Sequence, residues 1–342
     1  MLDLFTTTLD ESKLHPNFKE IIKEKESYAR ELLLYWTEGF IDRDKKFVKE
    51  FQTTFNSSFW ELYLFNIFKE YEFTIDFSHS YPDFILVNPF QLSLEAVISN
   101  NANNAAPEYN RKCDFDSLEL AEIVRTATIR LANAIIYKYK KYKEHYSRLD
   151  IIKNKPFVLA VAPFEQPFFW EQTNRAIYRV LYGVEGFEYK DPNNRIAPEV
   201  IRCIMNPFIK KDNGSEIPLG FFSDNQMEEI SAILFSNVAT FGKIRALTKN
   251  KDPREMIFFF SRFNKNSFHP EERMLPKAEY EETLDSGLTL YLNPFAKNPL
   301  QEDFIKKFPA WNSFDFTSNF PHGDARDGNL INRMVQVINQ VY

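Results

Sequence analysis

The stretch that decides the fold is Ser58–Val97, SFWELYLFNIFKEYEFTIDFSHSYPDFILVNPFQLSLEAV. Its pattern predicts a helix that is apolar nearly all round, followed by three short strands. Three carboxylates, Glu61, Asp83 and Glu95, fall on the predicted helix and on two successive strands. Two of them interrupt runs that otherwise have the composition of buried segments. An ionised carboxylate placed there needs a cation, a hydrogen-bond donor or a proton, so these acids are the main functional clue.

The rest of the chain predicts an alternation of helices and strands. An Asn- and Ala-rich loop without periodicity, 99–111, separates the third strand from a long helix. Helices are predicted over 17–40, 42–55, 58–70, 116–146, 170–181 and 330–341, and strands over 71–77, 83–87, 91–99, 156–162, 201–209, 230–235, 256–260 and 288–292.

Composition excludes several classes of protein. The 342 residues are 44% hydrophobic and 16% aromatic, which is ample material for a folded core. With 9 glycines and neither a GxGxxG nor a GxxxxGK[ST] motif, binding of nucleotides through Gly-rich loops is not expected. A net charge of −6 argues against a purely electrostatic, histone-like binder but is compatible with enzymes that confine positive potential to one cleft.

The sequence predicts a cytoplasmic protein without a membrane partner. Acidic residues near the start replace the basic and apolar regions of a signal peptide, and no apolar run approaches membrane-spanning length. Cys113 and Cys203 lie ninety positions apart without a CxxC partner. Two free thiols are therefore favoured over a zinc site or a disulfide.

Asp83 and Glu95 each have a structural interpretation when taken alone. Asp83 follows Pro82 at the start of a strand, where an aspartate often bonds the nearby backbone. Glu95 lies between Leu94 and Ala96, and a structural pair with an arginine is an alternative there. Two adjacent strands that each present an acid nevertheless favour a shared divalent cation.

In these residues the chain resembles the PD-(D/E)XK, or restriction-endonuclease-like, nuclease superfamily. The match consists of Pro82-Asp83, eleven intervening residues and Glu95-Ala96-Val97, preceded by the helix that carries Glu61. In that superfamily the order helix, three strands, helix, strand forms the catalytic core of a mixed α/β fold. The resemblance covers about 58–162.

We therefore predict an α/β protein with a mixed sheet flanked by helices, a restriction-endonuclease-like core. Residues 1–57 are predicted to be an N-terminal helical region and 58–188 the nuclease-like core. Residues 189–342 are predicted to be a C-terminal α+β extension, either separate or part of the same domain. A composition shift at 189–195 is the proposed boundary.

The resemblance implies roles for four residues. Asp83 and Glu95, with the backbone carbonyl of Ala96, would hold Mg²⁺, for which Mn²⁺ is a substitute. Glu61 would match an acid that some members place on the first core helix, where it binds metal directly or through water. Ser58 and Glu61 also have capping-box spacing, so a structural cap near the start of the helix is an equal alternative.

The usual motif lysine is missing from this chain. Its position, two residues after Glu95, is occupied by Val97. The apolar stripe of the long helix extrapolates to Lys138, which is therefore predicted to face the sheet and supply the missing cation. Three neighbouring lysines are predicted to fall elsewhere on that helix: Lys140, Lys141 and Lys143.

Lys138 and Tyr142 also resemble the Q-x-x-x-Y motif of the superfamily's exonuclease branch, with Lys in place of Gln. The alternative is that a long helix rich in Lys and Tyr extends its lysines into solvent. Lys112 and Asn100 are weaker candidates for the same role.

The resemblance thus implies a metal-dependent nuclease that hydrolyses phosphodiester bonds, with DNA as its partner. The first candidates for contacts with nucleic acid are Arg125, Arg130, Lys141 and Tyr142. The alternative function is a non-catalytic protein of the same fold that serves as a nucleic-acid-binding or assembly module. The sequence leaves a homodimer open.

Overall fold

The computed structural model describes residues 1–110, 119–191 and 199–338. Numbered in chain order, the helices are α1 Pro16–Ile21, α2 Ser27–Trp36, α3 Phe47–Thr53, α4 Phe55–Glu70, α5 Leu120–Lys141, α6 Arg175–Tyr182, α7 Phe241–Thr248 and α8 Glu302–Ile305. The strands are β1 Thr74–Ile75, β2 Phe84–Asn88, β3 Leu92–Asn100, β4 Phe157–Phe164, β5 Val184–Tyr189, β6 Val200–Met205, β7 Phe208–Lys210, β8 Glu216–Pro218, β9 Ala232–Phe235, β10 Glu255–Arg262, β11 Glu271–Pro276, β12 Thr289–Leu292, β13 Ala310–Asp315, β14 Phe320–Ala325 and β15 Leu330–Ile338.

The main sheet has eight strands in the order β1-β2-β3-β4-β9-β12-β13-β14. Its first three strands are antiparallel, whereas β3, β4 and β9 run parallel to one another. β12 is antiparallel to β9 and parallel to β13. The predicted α/β class with a mixed, helix-flanked sheet is confirmed. Strands from the C-terminal part of the chain extend this sheet, while a domain boundary at 189–195, partly outside the described residues, stays a prediction.

Both faces of the sheet are covered, and β4 shows why its sequence is apolar throughout. Every residue of β4 is buried. Val158 and Ala160 belong to the core formed with α1–α4, whereas Leu159 and Val161 belong to the core formed with α5 and α6. Because successive side chains of a strand point to opposite faces, a central strand between two helical layers needs an unbroken apolar run.

A second sheet, in the order β11-β10-β15, packs around Phe258 and Tyr280, whose rings stack with centroids 4.0 Å apart. The predicted C-terminal helix over 330–341 is wrong where the structure describes it, because Leu330–Ile338 is β15. Val335 and Val337, two positions apart, pack against the same small core. β15 is a strand because it pairs with β10 along eight positions. The sequence of its nine residues gives no sign of this distant partner, so the prediction from local pattern failed.

Some predicted elements are shorter or interrupted. The predicted strand 201–209 is divided into β6 and β7 around Asn206 and Pro207, since proline lacks the N–H that a continuous ladder requires. The predicted helix 170–181 consists of a 3₁₀ turn, Phe169–Gln172, and α6. The predicted start of the long helix, at Asp116, lies outside the described residues.

None of the described helices has the length and apolar character needed to cross a membrane.

Glu165 directly follows β4 and is buried. Nε2 of Gln172 donates to its Oε1 at 2.9 Å, while Oε2 has no hydrogen-bond partner among the described residues. Burial raises the pKa of Glu165 to about 7, although the amides of Gln166 and Gln172 act in the opposite direction. The carboxyl group therefore takes up a proton more readily in the folded chain than in the unfolded chain.

The stability of the protein should reflect this proton uptake. Because the folded pKa lies above the usual 4.5, ionisation of Glu165 costs stability as the pH rises from 4.5 to about 7. Glu165→Gln keeps the Oε1 acceptor and removes the titration. We expect the variant to gain about 1–3 kcal/mol relative to the parent between about pH 5 and about pH 8, measured by urea unfolding. An equal difference between the two proteins at both pH values would contradict this expectation.

Candidate functional site

Asp83 and Glu95 are brought together by the pairing of β2 with β3. The two strands are antiparallel and Phe84 pairs with Leu94, so Asp83, one residue before β2, comes opposite Glu95. Oδ2 of Asp83 accepts a hydrogen bond from the backbone N–H of Ala96 at 2.7 Å. The two acids predicted from the sequence therefore lie side by side at one end of this strand pair.

Glu95 is a buried carboxylate, 2% exposed, on the face of β3 that meets α5. Its Oε1 accepts hydrogen bonds from Nζ of Lys138 at 2.7 Å, from the hydroxyl of Tyr146 at 3.0 Å and from Nζ of Lys141 at 3.2 Å. Its Oε2 is buried and has no hydrogen-bond partner among the described residues. One oxygen is thus saturated with donors and the other is free.

Lys138 lies where the helical stripe places it, against the sheet. Val97, two residues after Glu95, is instead a buried apolar residue of the core beneath α5. The prediction that Lys141 falls elsewhere on the helix is wrong, because Lys141 also reaches Glu95. Residues three apart on a helix are neighbours on its surface, so the two ammonium groups can share one carboxylate oxygen.

A wide turn explains the contribution of Tyr146. α5 continues into a π-helical turn, Tyr142–Tyr146, in which the N–H of Ser147 donates to the carbonyl of Tyr142 at 2.9 Å. In an uninterrupted α-helix His145 would lie one turn beyond Lys141, but the additional residue of the π turn brings Tyr146 there. His145 is exposed, with 64% of its side chain accessible. The sequence pattern, which assumes a regular helix, gives no signal for this residue.

The pKa values of Asp83 and Glu95 are shifted in opposite directions. Burial, and then the charge of Glu95, raises the pKa of Asp83 to about 6, although Lys138 acts against this. Burial acts to raise the pKa of Glu95 as well, but the ammonium groups of Lys138 and Lys141 outweigh it and hold that pKa below its usual value. Burial and the Glu95 charge raise the pKa of the Tyr146 hydroxyl, which therefore remains a proton donor.

Glu61 lies near the pair but does not cap its helix. α4 begins at Phe55, so Glu61 is in the second turn, and the capping-box alternative with Ser58 is wrong. Burial, and then the charge of Asp83, raises the pKa of Glu61 well above its usual value. The charges of Asp83 and, more weakly, Glu95 therefore oppose ionisation of Glu61.

Arg43, in the loop between α2 and α3, holds the turn that carries Asp83. Nη1 donates to the carbonyls of His79 at 2.7 Å and Pro82 at 3.2 Å, and Nη2 donates to the carbonyl of Asp83 at 3.1 Å. Five donors in a rigid plane suit the arginine side chain to several acceptors at once. Sequence reasoning did not identify Arg43, since a loop residue forty positions from Asp83 carries no periodic signal.

The residues proposed for contacts with nucleic acid have intramolecular partners. Arg125 bonds Glu122 and Asp212 and the carbonyl of Lys210, and Arg130 bonds the carbonyls of Asn100 and Asn101. Tyr142 is buried against Phe157, with ring centroids 4.5 Å apart, so its ring is not presented to solvent. Contacts of Arg125 and Arg130 with nucleic acid stay predictions, and Lys112 lies outside the described residues.

The carboxylate oxygens of Asp83 and Glu95 fit a cation that prefers oxygen ligands and takes only a few of them from the protein. Oε2 of Glu95 has no hydrogen-bond partner among the described residues and Asp83 lies opposite, while the charge of Glu95 raises the pKa values of Asp83 and Glu61. Among the described residues, no group of three or more His, Cys, Asp or Glu side chains is arranged to hold a metal ion. Two carboxylates supplemented by backbone oxygen, water and phosphate are a usual Mg²⁺ environment, whereas zinc generally requires more protein ligands.

Comparison with known proteins adds no relative: no family model, no curated protein and no solved structure matches the chain. The site must therefore be interpreted from its own geometry.

Replacing Arg43 should loosen the turn that carries Asp83. Arg43→Ala removes three hydrogen bonds to backbone carbonyls, and we expect a loss of about 1–3 kcal/mol in the free energy of unfolding. Amide hydrogen exchange over residues 78–83 should accelerate more than exchange in β4. Arg43→Lys is the matched variant, which keeps the charge but loses the planar fork. Unchanged exchange over this turn in Arg43→Ala would contradict the assigned role.

Proposed function

We propose that the protein is a metal-dependent nuclease that hydrolyses phosphodiester bonds of DNA on a restriction-endonuclease-like core. The proposal rests on one observation: the ammonium group of Lys138 lies 2.7 Å from Glu95, beside Asp83. Two adjacent strands supply the acids, and α5 supplies the cation that Val97 does not. A cytoplasmic location and a homodimer remain predictions.

Asp83, the free Oε2 of Glu95 and the carbonyl of Ala96 would hold Mg²⁺, or Mn²⁺ in its place. Glu61 would contribute directly or through a water molecule. When bound, the metal ion supplies an activated water and offsets the negative charge that develops on the phosphate oxygens. The mutual repulsion of the three carboxyls favours such a dication, because its charge compensates all of them at once.

The residues of the chain have separable parts in the reaction. The oxygen of water bonds to phosphorus and releases a proton to solvent, the bond from phosphorus to the leaving oxygen breaks, and the leaving oxygen takes up a proton from solvent. No covalent intermediate with the protein is required. Lys138 fixes Oε1 of Glu95 so that Oε2 is directed elsewhere, and its remaining N–H groups can orient the attacking water or a phosphate oxygen. Arg43 fixes the position of Asp83 through the backbone.

The second candidate function is a non-catalytic nucleic-acid-binding or assembly module of the same fold. It is favoured by the saturation of Glu95 Oε1, which two ammonium groups and a hydroxyl already compensate. In that case the cluster is a buried ion pair that fixes α5 on the sheet. Binding of a divalent cation distinguishes the two functions, since the structural cluster has no need of one.

Neutralising either acid should abolish cleavage. We expect Asp83→Asn and Glu95→Gln to lower the rate of plasmid and oligonucleotide cleavage in Mg²⁺ by about 100-fold or more, and to weaken Mn²⁺ binding measured by calorimetry. Glu302→Gln, at an exposed carboxylate on α8, is the matched control and should retain both. If the first two variants bind Mn²⁺ and cut DNA as the parent does, the site is misplaced.

The lysine can be tested separately on the same helix. Lys138→Met keeps the apolar stem and removes the ammonium group, so cleavage should fall by about 100-fold while the circular dichroism of the helices is retained. Lys140→Met changes an exposed residue of α5 and should leave cleavage unaltered. If the two variants cleave DNA at the same rate, Lys138 is not the residue that supplies the cation.

A further inference from the structure

Tyr81 occupies a distinctive place beside the candidate site. It lies two residues before Asp83, and its side chain is 48% exposed. One face of its ring stacks on Tyr146, with centroids 5.6 Å apart and planes inclined by 20°. The hydroxyl of Tyr146 donates to Glu95. Tyr146 therefore connects the buried carboxylate with Tyr81 at the surface.

We propose that Tyr81 is a stacking platform for an unpaired nucleobase, and that the substrate is single-stranded nucleic acid. This inference rests on the proposed function, because it assigns the substrate class of the same site. The exposed part of the ring offers an aromatic surface directly beside the acids. Aromatic side chains that stack on successive bases are a general means of holding single strands, because every base has a π-face.

Contacts of the flanking backbone and of the neighbouring ring restrict the position of Tyr81. Arg43 bonds the carbonyls of His79 and Pro82, which lie on either side of Tyr81 in the chain. The ring of Tyr146, on which Tyr81 stacks, also has Nζ of Lys141 5.0 Å from its centroid. A preorganised ring loses little conformational freedom when a base stacks on it.

The charges beside the ring suit a phosphate next to that base. Lys138 and Lys141 lie at the same carboxylate, with 20% and 38% of their side chains exposed. In a duplex the bases are paired and stacked on one another, so a ring next to the scissile phosphate reaches a base only when that base is unpaired. The combination of exposed aromatic ring and adjacent ammonium groups therefore selects single strands over duplex.

The competing explanation is that Tyr81 only shields Tyr146 and Glu95 from water. Leucine at position 81 would still cover Tyr146 but has no π-face, whereas phenylalanine and tryptophan have one. Shielding predicts that Leu, Phe and Trp all preserve function, and stacking predicts that Phe and Trp do while Leu and Ala do not.

The binding test uses a single-stranded DNA oligonucleotide containing 2-aminopurine, and its duplex, with the full chain in EDTA. We expect Tyr81→Ala and Tyr81→Leu to weaken single-strand binding by about 5- to 100-fold and to abolish quenching of the probe. Tyr81→Phe and Tyr81→Trp should stay close to the parent. Tyr35→Ala, at a 59% exposed tyrosine on α2, is the control and should change nothing.

Cleavage of the same oligonucleotide, its duplex and an RNA copy in Mg²⁺ separates the two proposals. If the parent cuts duplex as fast as single strand and the Tyr81 variants do not differ, the stacking inference fails and the nuclease stands. If the parent cuts nothing but binds single strands in a manner that depends on an aromatic residue at position 81, catalysis fails and the platform stands. If the parent neither binds nor cuts, both are overturned.

Discussion

The charge of Glu95 is the constraint around which the site is arranged. A carboxylate in the interior of a sheet is stable only when its desolvation is offset by charge and hydrogen bonds. Lys138, Lys141 and Tyr146 supply that compensation from the last turns of α5 and the π turn that follows. The rotation of α5 about its own axis and its position along β3 are thereby restricted. Because all three donors converge on Oε1, the second oxygen is left without a hydrogen-bond partner among the described residues.

The parts of the site that the sequence predicted are those that depend on regular geometry. Lys138 follows from the 3.6-residue period of a long helix, and the approach of Asp83 to Glu95 follows from two short strands joined by a turn. Lys141 was placed wrongly because two lysines three residues apart on the helix share one carboxylate oxygen, which a single stripe does not reveal. Tyr146 was missed because a π turn changes the helical phase after residue 141. Arg43 was missed for a different reason: it acts from an irregular loop on backbone carbonyls, which no side-chain pattern records.

The C-terminal part of the chain shows where local sequence ceases to determine structure. Its strands β9, β12, β13 and β14 complete the main sheet, although long connections separate β9, β12 and β13 in the chain. β15 has a composition that also suits an amphipathic helix, and pairing with β10 decides in favour of the strand. A buried group formed by Lys243, Glu282 and Arg333 lies beside this second sheet. Contacts over such distances are not visible in a window of ten residues.

The acids and the cation of the candidate site come from different layers of the molecule. Glu95 and Lys138 are 43 positions apart, one on the sheet and the other on the helix packed against it. A chain in which β2, β3 and α5 have formed but not docked would carry the acids without their counter-charge. The proposed cleavage would then depend on tertiary docking rather than on secondary structure content. A partly folded or newly made chain would thus lack the proposed activity until α5 packs on the sheet.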